Sequence, residues 1–236
     1  MQALFSLTVL SLGLVVGSFL GAFSYRKPRG ISIIVGRSFC PHCKSKIAWF
    51  DNIPLLSFLF LRGRCRECGK KISRRYPLLE AGTAGLFLAF AKFTADCSSL
   101  SGQNLLCSWS QAFGPWIYPF ILGILIVLIA IFTIDLETKI IPDELVFLGI
   151  LFVTFFYLLG IPEVIFINFL VGFGAALFFL LIHLLTRGRG MGLGDVKFVV
   201  LGGLILGWPM TPVWLFLSFV SGAVMGLILI LLKKAK

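Results

Sequence analysis

Residues 116–134 read WIYPFILGILIVLIAIFTI, and the next residue is Asp135. These nineteen uncharged residues match the roughly 20 that an α-helix needs to cross a bilayer. In lipid each backbone polar group must be satisfied within its own segment, so the stretch predicts a spanning helix. Working outward, similar apolar runs lie at 3–24, 78–95, 144–160, 164–186, 196–208 and 212–232. The pattern predicts an all-α polytopic membrane protein with about seven transmembrane helices. The range is six to eight, because run 196–208 is short and ends at Trp208-Pro209, which makes the last two runs a broken hairpin or a re-entrant pair. Composition agrees: 58% of residues are hydrophobic and mean hydropathy is +1.01, beyond the range of soluble domains. The first run has no basic residues before it and no small-residue cleavage site, so it reads as a retained helix.

The net charge of +11 is unevenly placed: residues 26–75 hold 13 of the 21 Lys and Arg. Most of the others lie at 139, 187–197 and 233–236, while the stretches near 96–115, 160–163 and 209–211 have none. Threading seven spans puts every basic stretch on one side. By the positive-inside rule that side is the cytoplasm, with the N-terminus outside and the C-terminus inside. Charge distributed this way is a topology signal, so the partner it implies is membrane lipid and not nucleic acid. The expected organisation is a first helix (1–25), a cytoplasmic loop (26–77), a second helix with an external loop (78–115), and a helix bundle (116–236).

The cytoplasmic loop contains Cys40-Pro-His-Cys43 and Cys65-Arg-Glu-Cys68, two knuckles separated by 21 residues. Four thiolates at this spacing suit a tetrahedral zinc site of zinc-ribbon type. The loop is not expected to build an apolar core of its own, so metal binding would supply much of its folding energy. Gly63 and Gly69 fit the tight turns of such knuckles, and His42 reads as a bystander. Cys97 and Cys107 fall in the external loop, where thiols can oxidise, and are candidates for a disulfide.

Chemistry must come from polar residues at the membrane edge, since no phosphate loop, GxSxG or HExxH is present. Five of the ten acids gather in two short stretches, Asp135 to Glu144 and Gly190 to Lys197. Asp135 ends one span and Asp195 begins another, and ionisable groups at that depth point to function. Two carboxylates brought together there share one proton, because like charges a few ångströms apart do not both ionise. The ionised partner activates water and the protonated partner polarises a carbonyl, which is enough to hydrolyse an amide. Gly190, Gly192 and Gly194 allow close backbone approach, as for an extended substrate. Asp143 follows Pro142 and reads as a helix-opening residue; Asp195 can cap in the same way. Lys197 tunes Asp195 or snorkels to the interface. The 135–144 segment carries four acids and one lysine inside a basic face, so Glu137 and Glu144 are expected to draw in a basic peptide. His183 reads as an interhelical hydrogen-bond partner.

Several motifs occur together in order: Gly17-Ser18-Phe19-Leu20 with Tyr25-Arg26, both cysteine knuckles, Trp49 to Pro54, Leu61-Arg62-Gly63, Arg75-Tyr76-Pro77, Glu80, Ile134-Asp135 through Asp143, and Gly192 to Lys197. Through these motifs the chain resembles the prepilin peptidases, or type IV leader peptidases, nearly end to end. The resemblance implies catalytic aspartates at Asp135 and Asp195, with Gly192, Gly194, Lys197 and Asp143 supporting them. It also implies prepilin or pseudopilin substrates cut after a glycine at the cytoplasmic face of the bacterial inner membrane. Members with the cysteine loop then methylate the new N-terminus using S-adenosylmethionine. Glu80, Asp51 and Asn52 are the candidates here for methyl transfer; the alternatives are that Glu80 serves the first turn of the second helix and that Asp51-Asn52 is only a turn. The chain departs from the family at Gly21, where members usually have Asn, and that bears on the methyl-transfer half. Competing readings are a protease without methyltransferase activity, a presenilin-like protease, whose other aspartate would follow a tyrosine, a proton-coupled transporter, which would need acids near the midplane, a non-catalytic assembly subunit, and a methyltransferase without protease activity, against which the intact aspartate pair argues.

Overall fold

The computed structural model describes residues 2–33, 36–96, 109 and 113–232. Cys97 and Cys107, the expected disulfide pair, and the terminal lysines lie outside the described residues. Among the described residues the chain is helical, and strand pairing is limited to isolated bridges. The helices are α1 (Gln2–Arg26), α2 (Leu56–Phe60), α3 (Arg75–Asp96), α4 (Ile117–Thr138), α5 (Asp143–Gly160), α6 (Pro162–Leu185) and α7 (Leu193–Leu231).

Five of these, α1 and α4 to α7, are long and apolar enough to cross a membrane. The expected seven is reached by counting α3 and by dividing α7. Helix α3 is 22 residues long but carries Arg75, Glu80, Lys92 and Asp96. Helix α7 has 39 residues, about 58 Å if straight, nearly twice the hydrocarbon thickness. It is not straight. Gly207 (φ 62, ψ −166) and Trp208 (φ −89, ψ 139) leave the helical region. The rings of Phe198 and Trp214 lie 6.1 Å apart, whereas a straight helix would separate these positions by about 24 Å. The chain therefore turns back at Gly207, giving the broken hairpin that Trp208-Pro209 suggested.

The chain forms two compact units, Met1–Leu145 and Val146–Lys236. In the first, α1 lies along α3, and α4 packs on both. Glycines one helical turn apart allow the close approach. A Cβ at Gly13 would sit 2.6 Å from the Ala84 Cα, and one at Gly17 would sit 2.7 Å from the Glu80 Cα. One turn further, Gly21 seats the Tyr76 ring, which a Cβ there would approach to 3.1 Å. Ser24, Thr83 and Thr133 are buried while Leu78 and Phe132 face outward, as expected where lipid is the solvent.

In the second unit α6 packs along α7. Gly172 lets the backbones meet, since a Cβ there would lie 2.8 Å from the Val200 carbonyl oxygen. The break in α7 frees carbonyls that must find donors in a medium without water. The Tyr157 hydroxyl donates to the Leu204 and Ile205 oxygens at 3.1 and 3.3 Å. Asn168 Nδ2 donates to the Leu204 oxygen at 3.2 Å and to the Tyr157 hydroxyl at 3.3 Å. Asn168→Leu is expected to lower resistance to detergent unfolding by about 1 kcal/mol, the usual scale for an interhelical hydrogen bond in a membrane. A titration of the helical signal with sodium dodecyl sulfate checks this, and an unchanged midpoint would argue against the role.

Candidate active site and metal centre

The two cysteine knuckles are copies of one turn, offset by 25 residues. Phe39 bridges Lys46, and Arg64 bridges Lys71. Cys40 and Cys65 donate their N–H groups to the Ser45 and Lys70 oxygens at 3.0 and 2.9 Å. Ile47 and Ile72 donate to the Ser38 and Gly63 oxygens, both at 2.8 Å. The fifth residue after each bridge partner is left-handed: Lys44 has φ 60, and Gly69 φ 67. Only the second knuckle places the residue best suited to that conformation there. The repeat was readable in the sequence as Cys-x-x-Cys-x-x-Lys-Ile at both sites, a signal that cysteine spacing alone does not use.

The turns bring the four thiols together. The sulfurs of Cys40, Cys43, Cys65 and Cys68 all lie within 4.8 Å of one another, and those of Cys40 and Cys68 are 3.9 Å apart. A metal bound tetrahedrally at about 2.3 Å from each sulfur needs edges of about 3.8 Å, so the cluster fits one ion. His42 is not among the donors. The Ser45 hydroxyl, 2.9 Å from Cys43 Sγ, is the largest influence lowering that thiol to about 6, which favours the metal-binding thiolate.

The second knuckle also holds the turn at Trp49–Asn52. Arg66 donates to both Asp51 carboxylate oxygens, at 2.8 and 2.6 Å, and this pairing holds the carboxyl below its usual range. Buried Glu80 accepts the Leu55 N–H at 2.8 Å, fixing Leu55 at φ 58. The carboxylates of Asp51 and Glu80 are thus committed inside the protein, and Asn52 is exposed. Asp51 and Glu80 brace one turn. That geometry gives both carboxylates a structural role in the turn.

Asp135 lies in the last turn of α4 and is half-buried. Its carbonyl accepts the Lys139 N–H at 2.7 Å, closing the helix, and Asp143 opens α5 just beyond. Between them, Glu137 pairs with Arg75 and, at 3.7 Å, with Arg29. Arg75 also donates to the buried Ser24 hydroxyl. The side chain of Glu137 is only 15% exposed, so it ties together the ends of α1, α3 and α4. Glu144 is 71% exposed and pairs with Lys27 at 2.7 Å. Both acids expected to attract a basic peptide are therefore engaged by cations of their own unit.

Asp195 lies in the second unit, in the first turn of α7, and is exposed. Its Oδ2 accepts the Gly192 N–H at 3.2 Å, so it does cap its helix. A Cβ at Gly192 would lie 3.3 Å from that same oxygen, a tight approach that glycine avoids. Gly194 and Lys197 share this turn. Two residues behind it hold the glycine loop: His183, expected to bond between helices, and Thr186, which the sequence reading did not single out. His183 Nδ1 bonds the Met191 carbonyl oxygen at 2.7 Å, and the Thr186 hydroxyl accepts the Gly190 N–H at 3.1 Å. His183 thus serves the glycine loop and not a neighbouring helix. Its position just before that loop was the available signal.

Residues 11–93 match the Bacterial Peptidase A24 N-terminal domain, and residues 122–227 match the Type IV leader peptidase family. A prepilin leader peptidase/N-methyltransferase of Stutzerimonas stutzeri is 31% identical, with 98% of this chain and 83% of that protein aligned. The protein of the same name in Klebsiella pneumoniae is 35% identical over 87% of each chain. That of Aeromonas hydrophila is 35% identical over 97% of this chain and 82% of its own. No solved structure matches.

Proposed function

The chain belongs to the type IV leader peptidase family, and from that premise we propose that Asp135 and Asp195 form its catalytic pair. The activity is cleavage of prepilin leaders by a multi-pass protein of the bacterial inner membrane, joined to N-methylation of the product. One observation supports the pair: each aspartate stands at the end of an apolar helix, within the region matched to the peptidase family. In the reaction the ionised carboxylate takes a proton from water as its oxygen bonds the scissile carbonyl carbon. The protonated carboxyl donates to the carbonyl oxygen. Collapse of the tetrahedral adduct then releases the leader's carboxylate and the protonated amine. Gly192 keeps the space beside Asp195 clear, Gly194 and Lys197 shape its turn, and Asp143 secures the start of α5.

The cysteine loop, both aspartates and the C-terminus face the cytoplasm in this reading, because the basic stretches fall on one side. The four-cysteine cluster holds zinc as a structural ion, which suits a closed all-thiolate donor set. S-adenosylmethionine is the methyl donor that the family reading calls for.

A basic leader can meet the exposed Glu144 by exchange with Lys27. Glu137 assists through its charge but is walled in by two guanidinium groups. Glu144→Gln is expected to raise KM about 2- to 5-fold for a basic leader, the scale of one exposed ion pair, and to leave a neutral leader unaffected. Equal effects on both substrates would remove Glu144 from leader recognition.

The test of the overall function is mass spectrometry of a prepilin-like substrate incubated with the purified chain and S-adenosylmethionine. The expected product is cut after the glycine and carries one added methyl group. An intact substrate, or cleavage elsewhere, would overturn the reading.

A further inference from the structure

The loop between α1 and α3 carries an apolar surface that the catalytic account does not use. Trp49, Phe50, Ile53, Leu56, Leu59 and Phe60 are 76, 46, 40, 51, 68 and 84% exposed. They lie on the Trp49–Asn52 turn and on α2, in a loop that is otherwise strongly basic. Residues 27–74 contain eleven Lys and Arg against two acids, Asp51 and Glu67. A water-facing loop gains nothing by exposing such a patch, and patches of this kind mark interaction surfaces.

We propose that the Trp49–Phe60 segment docks on the bilayer itself, inserting its apolar side chains among anionic lipid headgroups. Three observations commit it to that partner. The first is depth. Leu55 is bonded to Glu80 at 2.8 Å, and Glu80 is the sixth residue of α3, about 7–8 Å along the helix from Arg75. The segment is thereby pinned to the flank of α3 within its first two turns, and interfacial helices bury about 5–10 Å at the headgroup boundary. The second is tethering. The loop leaves from the end of α1 and returns at the start of α3, and these ends are joined by the Arg75 bond to Ser24. The third is charge. Arg62 and Arg64 follow closely on Phe60 and are exposed, and basic residues beside a membrane surface are drawn to anionic lipid. Trp49 is a side-chain type enriched at such interfaces, and Phe60 is one that interfacial helices bury there. Arg66 holds the patch in register: it pairs with Asp51 and lies over the Phe50 ring at 5.3 Å. The apolar part of a substrate is the alternative occupant, but nothing about it requires the basic run.

The test uses the full chain in nanodiscs, with a photoreactive benzoylphenylalanine at Trp49, at Phe60, or at exposed Glu67 as a control. Irradiation is followed by mass spectrometry of the adducts, with and without a prepilin-like substrate. Lipid adducts are expected at Trp49 and Phe60 at several times the level at Glu67. They should rise as phosphatidylglycerol replaces phosphatidylcholine, and persist in the Asp135→Asn variant. Equal labelling at all three sites, indifference to lipid charge, or adducts only with substrate would each overturn the proposal. Retained zinc content confirms that each labelled protein has kept its loop folded.

Discussion

Asp135→Asn and Asp195→Asn should each lower leader cleavage by about 10³-fold or more, some 4 kcal/mol of lost transition-state stabilisation. An amide neither takes a proton from water nor gives one to the scissile carbonyl, yet it nearly matches the carboxylate in shape. In Asp135→Asn the new side chain stays in the last turn of α4, and the backbone bond from Lys139 is unaffected by the change. Asp195→Asn retains a side-chain oxygen to accept the Gly192 N–H, so the cap survives while the chemistry does not. That distinction separates catalysis from capping: a capping role alone predicts near-normal cleavage by Asp195→Asn. Single-turnover cleavage, run beside a detergent-unfolding curve, reads both effects at once.

The second large effect concerns the cysteine cluster. Cys65→Ser should abolish stoichiometric zinc and unfold the loop, because binding at such sites is worth about 10 kcal/mol or more of folding free energy. The damage should spread along the contacts on either side. Without the knuckle Arg66 no longer holds Asp51, and the turn ending at Leu55 loses its support. The aspartates lie outside the loop, so cleavage should fall much less than methyl transfer, which the resemblance assigns to the N-terminal half. Metal analysis, hydrogen exchange across residues 38–72 and separate assays of cleavage and methylation check this. Normal exchange protection in a zinc-free variant would contradict the structural role of the metal.

What could be read in advance follows from what is local. Apolar run length located the helices to within a few residues: the run 116–134 became Ile117–Thr138, and 164–186 became Pro162–Leu185. Trp208-Pro209 marked the break in α7 because proline removes a donor from the helix. The cysteine spacing foretold a four-thiolate cluster. Pairings between distant residues had no such trace. Glu137 looked available to a substrate because its partners, Arg29 and Arg75, lie far away in sequence and arrive only when α1, α3 and α4 come together. The partners of Asp51 and Glu80 left no trace for the same reason: one is bound by Arg66 and the other by the Leu55 N–H. Charge content predicted where acids would gather, but not which cations would reach them first.

The central claim is that Asp135 and Asp195 act as one unit, and the most direct test is the non-additivity of their removal. Cleavage rates should be measured for Asp135→Asn, Asp195→Asn and the double variant under single-turnover conditions. If the two share one proton and one water, the double variant should be no slower than either single variant, as for other catalytic groups that act together. A double variant slower by the product of the two single effects, or a single variant with near-normal cleavage, would show that the aspartates work independently and contradict the account.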